Sequence, residues 1–194
     1  MIPIPSDDDA RIKNLHAFEV LDTPDEDSFD AITRLAARLF AVPIALVSLV
    51  DKDRQWFKSS HGLDADQTPR DQAFCTYAIM ENEPLVVLDA TLDDRFKDNP
   101  LVTGELGIRF YAGAPLISPD NYRLGTFCII DMKPRTSFHG FERNNLIDFA
   151  TTTVDILEMR RRMLQETGTP VAAELNAGLA GREQHNPHDR QQDA

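Results

Sequence analysis

The sequence predicts a single α+β domain, and three observations carry that prediction. Two segments with helical period open the chain, apolar runs of strand character fill its middle, and a hairpin signal then leads into one long helical segment. At 194 residues, 42% of them hydrophobic, the chain is long enough for one sizeable core.

The first segment, SDDDARIKNLHAFEVL, has Ser6 placed as a helix cap and Ile12, Leu15 and Phe18 on one helical face. The second restarts after Thr23-Pro24, where proline fits a first turn and acids favour the positive helix end. Its apolar stripe reads Phe29, Ile32, Ala36, Leu39 and Phe40.

From Val42 the period changes. VPIALVSLVD is apolar on both alternations, as a central strand covered on both faces would be. The polar quartet Asp51 to Arg54 turns the chain into QWFKSS, its antiparallel partner, in which Trp56 and Phe57 take opposite faces. HGLDADQTPRD reads as loop, AFCTYAIM as a short helix and PLVVLDA as a third strand. TLDDRFKDNPLVTGELG is long for a bare connection, so it is expected to cover a pocket.

IRFYAGAPLI and RLGTFCII flank the turn cluster SPDNY and form the clearest hairpin. Phe110, Ala112, Ala114 and Leu116 share one face and Tyr111 and Gly113 the other; Thr126, Cys128 and Ile130 oppose Phe127 and Ile129. The closing helix carries a stripe of Leu146, Ala150, Thr153, Leu157, Arg160 and Leu164, and a second of Phe149, Ile156 and Met163. One stripe is expected to cover the sheet and the other to pair with a second subunit. Beyond Glu166 the chain has no aromatic residue and mixes breakers with polar residues, which predicts a disordered tail over 165–194.

Charge and motif exclude several function classes. Acidic residues outnumber basic ones by 32 to 20, a net charge of −12, which repels phosphate backbones and anionic lipid heads. Nucleic acid and membranes are therefore not expected partners. The two cysteines form neither a CxxC motif nor a disulfide framework, and the start is acidic where a signal peptide is basic, so a reducing cytoplasmic setting is expected. Phosphate-loop, dinucleotide, HExxH and GxSxG signatures are absent from the sequence, and the chain is read as non-enzymatic. The acids of DATLDDRFKDNP lack the glycine and closing glutamate of a calcium loop, and read as solvated Asx turns. His185 and His188 sit in the tail with no cysteine or acid shell, so no metal site is expected.

Cys75 lies between aromatic residues just after Pro-Arg-Asp. A free thiol there packs as a small apolar residue, whereas a helix N-terminus and Arg70 would lower its pKa. It is read as lining a pocket, with a redox pair of Cys75 and Cys128 as the enzymatic alternative. Arg109 and Tyr111, on one strand face, would either bond structurally or orient an anionic small molecule.

The blocks PIALVSLVD, RQWFKSSHGL, TPRDQAFCTYAI, VVLDATLDDRF, NPLVTG, IRFYAGAPL, LGTFCIID and KPR, in that order, closely resemble the GAF domains of bacterial sensor histidine kinases and diguanylate cyclases. The resemblance implies an antiparallel sheet of five to six strands. The first, second and last helices would lie on one face, and short helices and loops would cover a small-molecule pocket on the other. It assigns a leading segment 1–14, a GAF domain 15–164 and the tail 165–194. By this resemblance Trp56, Phe74, Cys75, Tyr77 and Asp89 are ligand-binding candidates, as are Phe96, Arg109, Tyr111 and Cys128. The Asn-Lys, Phe, Asp-Glu signature of cyclic-nucleotide-binding relatives is missing, and Thr76 follows Cys75 where bilin-binding relatives commonly have histidine. The free methionine sulfoxide reductases are a poor match in cysteine supply. The implied function is a stand-alone sensory module for a small cytosolic ligand, with no cofactor named. It would signal through its terminal helices to a homodimer mate, by way of the 141–166 helix, or to a separate kinase or cyclase; a ligand-free dimerisation scaffold is the other alternative.

Overall fold

The computed structural model describes residues 2–167. Helix α1 spans Asp8–His16 and α2 Asp27–Phe40; strands β1 Ile44–Val50, β2 Arg54–His61 and β3 Gln67–Pro69 follow. A 3-10 turn at Arg70–Gln72 leads into α3, Phe74–Ala78, then β4 Leu85–Val87 and α4 Pro100–Thr103. The chain continues through β5 Phe110–Ile117, β6 Arg123–Asp131 and α5 Phe141–Thr167. Two compact units divide the chain between Met159 and Arg160, and the packing below is that of the first. The expected disordered tail lies, from residue 168 onward, outside the described residues.

The six strands form one antiparallel sheet in the order β3-β2-β1-β6-β5-β4. β1 sits between β2 and β6 with every residue buried, which is why its apolar run is unbroken. Side chains alternate as the hairpin sequence predicts. Val47, Phe110, Ala112, Phe127 and Ile129 join the core under α1, α2 and α5, while Leu46, Tyr111, Cys128 and Ile130 face the opposite way. We call this second side, away from those three helices, the distal face.

The helices differ from expectation in detail. α1 begins at Asp8 with Asp7 at its cap, and no side chain caps it; Ser6 lies outside. In α2 the buried stripe is Phe29, Thr33, Ala36, Ala37 and Phe40, and Leu39 is 51% exposed. The stripe rotates toward Thr33 because its hydroxyl bonds Ser59 Oγ at 2.8 Å in β2, while Lys58 of the same strand donates to Pro24 O and ion-pairs with Glu26 before α2. In α5, Leu146, Ala150, Thr153 and Leu157 are buried as expected. Phe149 and Ile156 of the second stripe also pack on this same core, Phe149 stacking on Phe127 at 5.1 Å.

Two short elements went unseen in the sequence. β3 pairs with β2 over three residues inside the segment read as loop. α4 lies inside the long connection, started by Asn99, whose side chain accepts from Leu101 N ahead of Pro100 at the first turn.

Candidate functional site: a thiol-centred polar cluster on the distal face

α3 is held over the distal face by its entry turn. The Arg70 guanidinium donates to both carboxylate oxygens of Asp8, at 2.8 and 2.9 Å, and to the carbonyls of Asp51 and Lys52. Thr76 Oγ1 in turn donates to the Arg70 carbonyl at 2.9 Å. Arg11, buried in α1, shares the same carboxylate at 2.7 Å. Burial pushes the Asp8 carboxyl up, but hydrogen bonds and charges from the two arginines outweigh it and hold it below the usual carboxylate range.

This placement points Phe74 and Cys75 at the sheet. Cys75 Sγ accepts from Thr126 Oγ1 at 3.0 Å and from Tyr111 Oη at 3.3 Å, and lies 3.9 Å from Cys128 Sγ. Tyr111 reaches the sulfur by lying across Gly113, two residues along the same strand face. A Cβ at Gly113 would stand 2.2 Å from the phenol oxygen, so only glycine leaves the ring its path. Ser48 Oγ is wholly buried and has no hydrogen bond of regular geometry, though it is near enough to the Cys75 sulfur to favour its charged form.

The cluster polarises one thiol against the other. Burial raises the Cys75 pKa, but hydrogen bonds from Cys128, Ser48, Thr126 and Tyr111 outweigh it and bring the thiol down to about 7. The hydrogen bond to Cys75, then burial, push Cys128 well above the ordinary thiol range. Burial, then the charge of Cys75, do the same to the Tyr111 phenol. Of the two thiols, Cys75 is therefore the one that loses its proton more readily.

Aromatic rings close the site. Phe96 stacks on Phe74 at 4.0 Å, Tyr77 meets Phe96 edge-on at 4.8 Å, and Phe74 leans on Tyr111 at 5.1 Å. Phe96 rides on the long connection, which Asn99 ties to α3's entry turn by donating to the Gln72 carbonyl at 2.9 Å. Its acids form local turns: Asp89 accepts from Thr91 and Asp93 from Arg95. Among the described residues no group of three or more histidine, cysteine or acidic side chains is arranged to hold a metal ion.

The structure thus brings together six of the residues singled out in the sequence: Phe74, Cys75, Tyr77, Phe96, Tyr111 and Cys128. Three stand elsewhere. Trp56 packs in the opposite core, because its register partner Leu49 also faces α2 and α5, and its neighbour Phe57 takes the distal face. Asp89 is engaged in its turn with Thr91. Arg109 precedes β5 and does not share a strand face with Tyr111; its guanidinium donates to the carbonyls of Val102 and Ile108, fastening α4. The space expected to be a pocket under α3 is taken by these rings, and recesses of about 290, 350 and 590 Å³ open elsewhere. They lie between β5 and α5 (Ala114, Val154), by α2 and β2 (Asp30, His61) and beside α1 (Asp8, Lys52). Sequence reasoning missed Ser48, although a lone hydroxyl in an otherwise apolar run was the signal for it.

Comparison with known proteins agrees with this architecture. The family model for the GAF domain matches residues 26–159. A cyclic di-GMP phosphodiesterase of Pseudomonas aeruginosa is 47% identical over 133 residues, 69% of this chain but 23% of that protein. The chain therefore spans about a quarter of this relative's length. Among solved structures, the GAF domain of an Acinetobacter phosphoenolpyruvate-protein phosphotransferase superposes with a TM-score of 0.57 at 14% identity, covering 80% of this chain and 98% of that one. A type II free methionine-R-sulfoxide reductase from Thermoplasma acidophilum does so at 0.56 and 10% identity, covering 69% and 92%. At such identities these two show the fold alone. Six antiparallel strands with α1, α2 and α5 on one face, and a family match over more than half the sequence, lead to one conclusion: the chain belongs to the GAF domain family.

Proposed function

We propose that this chain is a sensory module in the control of cyclic di-GMP turnover. A small polar effector is received on the distal face, and the terminal helices α1 and α5 carry the change to an output unit or across a homodimer through α5. The family is of the sensory and regulatory type, and the Pseudomonas relative is named for cyclic di-GMP hydrolysis.

The observation that carries the reading is the polar cluster itself. A core built only for stability would fill the middle of an apolar face with apolar side chains, since a buried hydroxyl left without a partner costs about 1–3 kcal/mol. Here Ser48, Thr126 and Tyr111 converge on that point, and the Ser48 hydroxyl makes no hydrogen bond of regular geometry there. Entry requires Phe96 and its connection to swing out, with the Asn99 and Arg109 contacts to carbonyls as the latches.

Thermal unfolding with a panel of small polar metabolites tests this. An effector at a hundred times its Kd stabilises by about 2.7 kcal/mol. The shift is expected in the native chain and lost in Thr126→Val. If no compound shifts either protein, and solution mass shows a dimer, the module works through its interfaces as a scaffold. If mass shows a monomer, coupling through α5 pairing is rejected.

A further inference from the structure

We propose that Cys75 and Cys128 form an oxidation site, at which a hydroperoxide joins the two sulfurs in a disulfide that ties α3 to β6. The chemistry stands on geometry; its use as a signal rests on the reading of the distal face as the sensing face.

The sulfurs are 3.9 Å apart, in contact across α3 and β6, and forming a disulfide brings them to about 2.05 Å. The two thiols are not equivalent. Thr126 and Tyr111 both donate to Cys75, which makes it the attacking sulfur and leaves Cys128 beside it as the resolving one. A thiol that merely fills space, as buried cysteines usually do, has no use for this set of donors. The depressed pKa of Cys75 and the raised pKa of Cys128 fit the same division.

Burial selects the oxidant. Cys75 is 2% exposed beneath the Phe74 and Phe96 rings, so reaching it costs a bulky thiol reagent more displacement of those rings than it costs a molecule the size of hydrogen peroxide. The Cys75 thiolate attacks one peroxide oxygen, the O–O bond breaks, and the departing hydroxide takes a proton to become water. The Cys128 sulfur then attacks the Cys75 sulfenic sulfur. The S–O bond breaks, and the hydroxyl leaves as water with the Cys128 proton. In sum, two thiols and one hydrogen peroxide give one disulfide and two waters.

The test uses the full reduced chain treated with hydrogen peroxide. Both thiols are expected to disappear together. Intact mass should fall by about 2 Da with a Cys75–Cys128 linked peptide, reversibly with dithiothreitol. Ellman's reagent on the native reduced chain should react at least tenfold more slowly than on the denatured one. In Cys128→Ser, and in Cys128→Ala should serine disturb folding, Cys75 should instead gain oxygen as a trappable sulfenic acid. Survival of both thiols, oxygen gain in the native chain without a link, or links only between chains would overturn the site. Because the wild-type mass decides the matter alone, misfolded variants do not blunt the test. Loss of the site leaves the effector reading standing. A disulfide that forms in cells without changing cyclic di-GMP upholds the site and overturns its use as a signal.

Discussion

The two faces of this sheet are filled by different kinds of residue. Under the helices, Val47, Phe110, Ala112, Phe127 and Ile129 meet Phe29, Phe40, Leu146 and Leu157, and the buried polar groups there are partnered, as Thr33 with Ser59, Lys58 with Pro24 and Glu26, and Thr153 with the Phe149 carbonyl. On the distal face, aromatic residues ring a polar centre of Ser48, Tyr111, Thr126 and the two cysteines. Both sides are equally buried, so burial does not tell them apart; chemistry does. The helix side is expected to carry stability, and the distal side to give up some of it for recognition.

The contrast breaks most visibly at Phe127. This side chain is fully buried and stacked on Phe149, so Phe127→Ala should cost about 3–5 kcal/mol in urea unfolding. A loss under 1 kcal/mol would show that the helix side is not the stable one.

Asp8 is the charge that joins the two sides, pairing Arg11 of α1 with the entry turn of α3. Asp8→Asn leaves two buried guanidiniums facing a neutral amide and should cost about 2–3 kcal/mol, below the full value for a buried pair because the carboxylate is partly exposed. Its folded-state pKa is depressed, so the contribution is present above the unfolded value and lost as pH falls through the folded one. The native chain should lose stability on acidification below about pH 4. The variant should show a shallower loss, with part remaining because Asp51 is also depressed. Equal slopes in the two proteins would remove Asp8 from the account.

The smallest effect sharpens the comparison most. Ser48→Ala deletes a buried hydroxyl that makes no hydrogen bond of regular geometry and should be neutral or stabilise by up to about 1 kcal/mol, while weakening any effector shift. A clear destabilisation would mean that Ser48 serves the fold.

Legibility in the sequence followed the length of each pattern. The hairpin faces could be read residue by residue, because eight- and nine-residue strands repeat the alternation often enough to fix it. Alternation gives opposite faces without saying which is which, and that is how Trp56 came to be placed on the wrong side of the sheet. β3 has three residues and no period at all. α4 has only four residues, although Asn99-Pro100 in NPLVTG is a helix start signal. Of the site, the aromatic cover and both sulfurs were readable from the family's blocks. Their approach to 3.9 Å was not, since it depends on where α3 sits above β6.

The rims of the sheet have a consequence of their own. Each outermost strand is only three residues long, β3 ending at Pro69 and β4 at Val87, so neither border offers an incoming strand a long row of free amides and carbonyls. Copies of this protein therefore have little to zip onto sideways, and the fold is guarded against runaway β-stacking even when a cell makes a great deal of it.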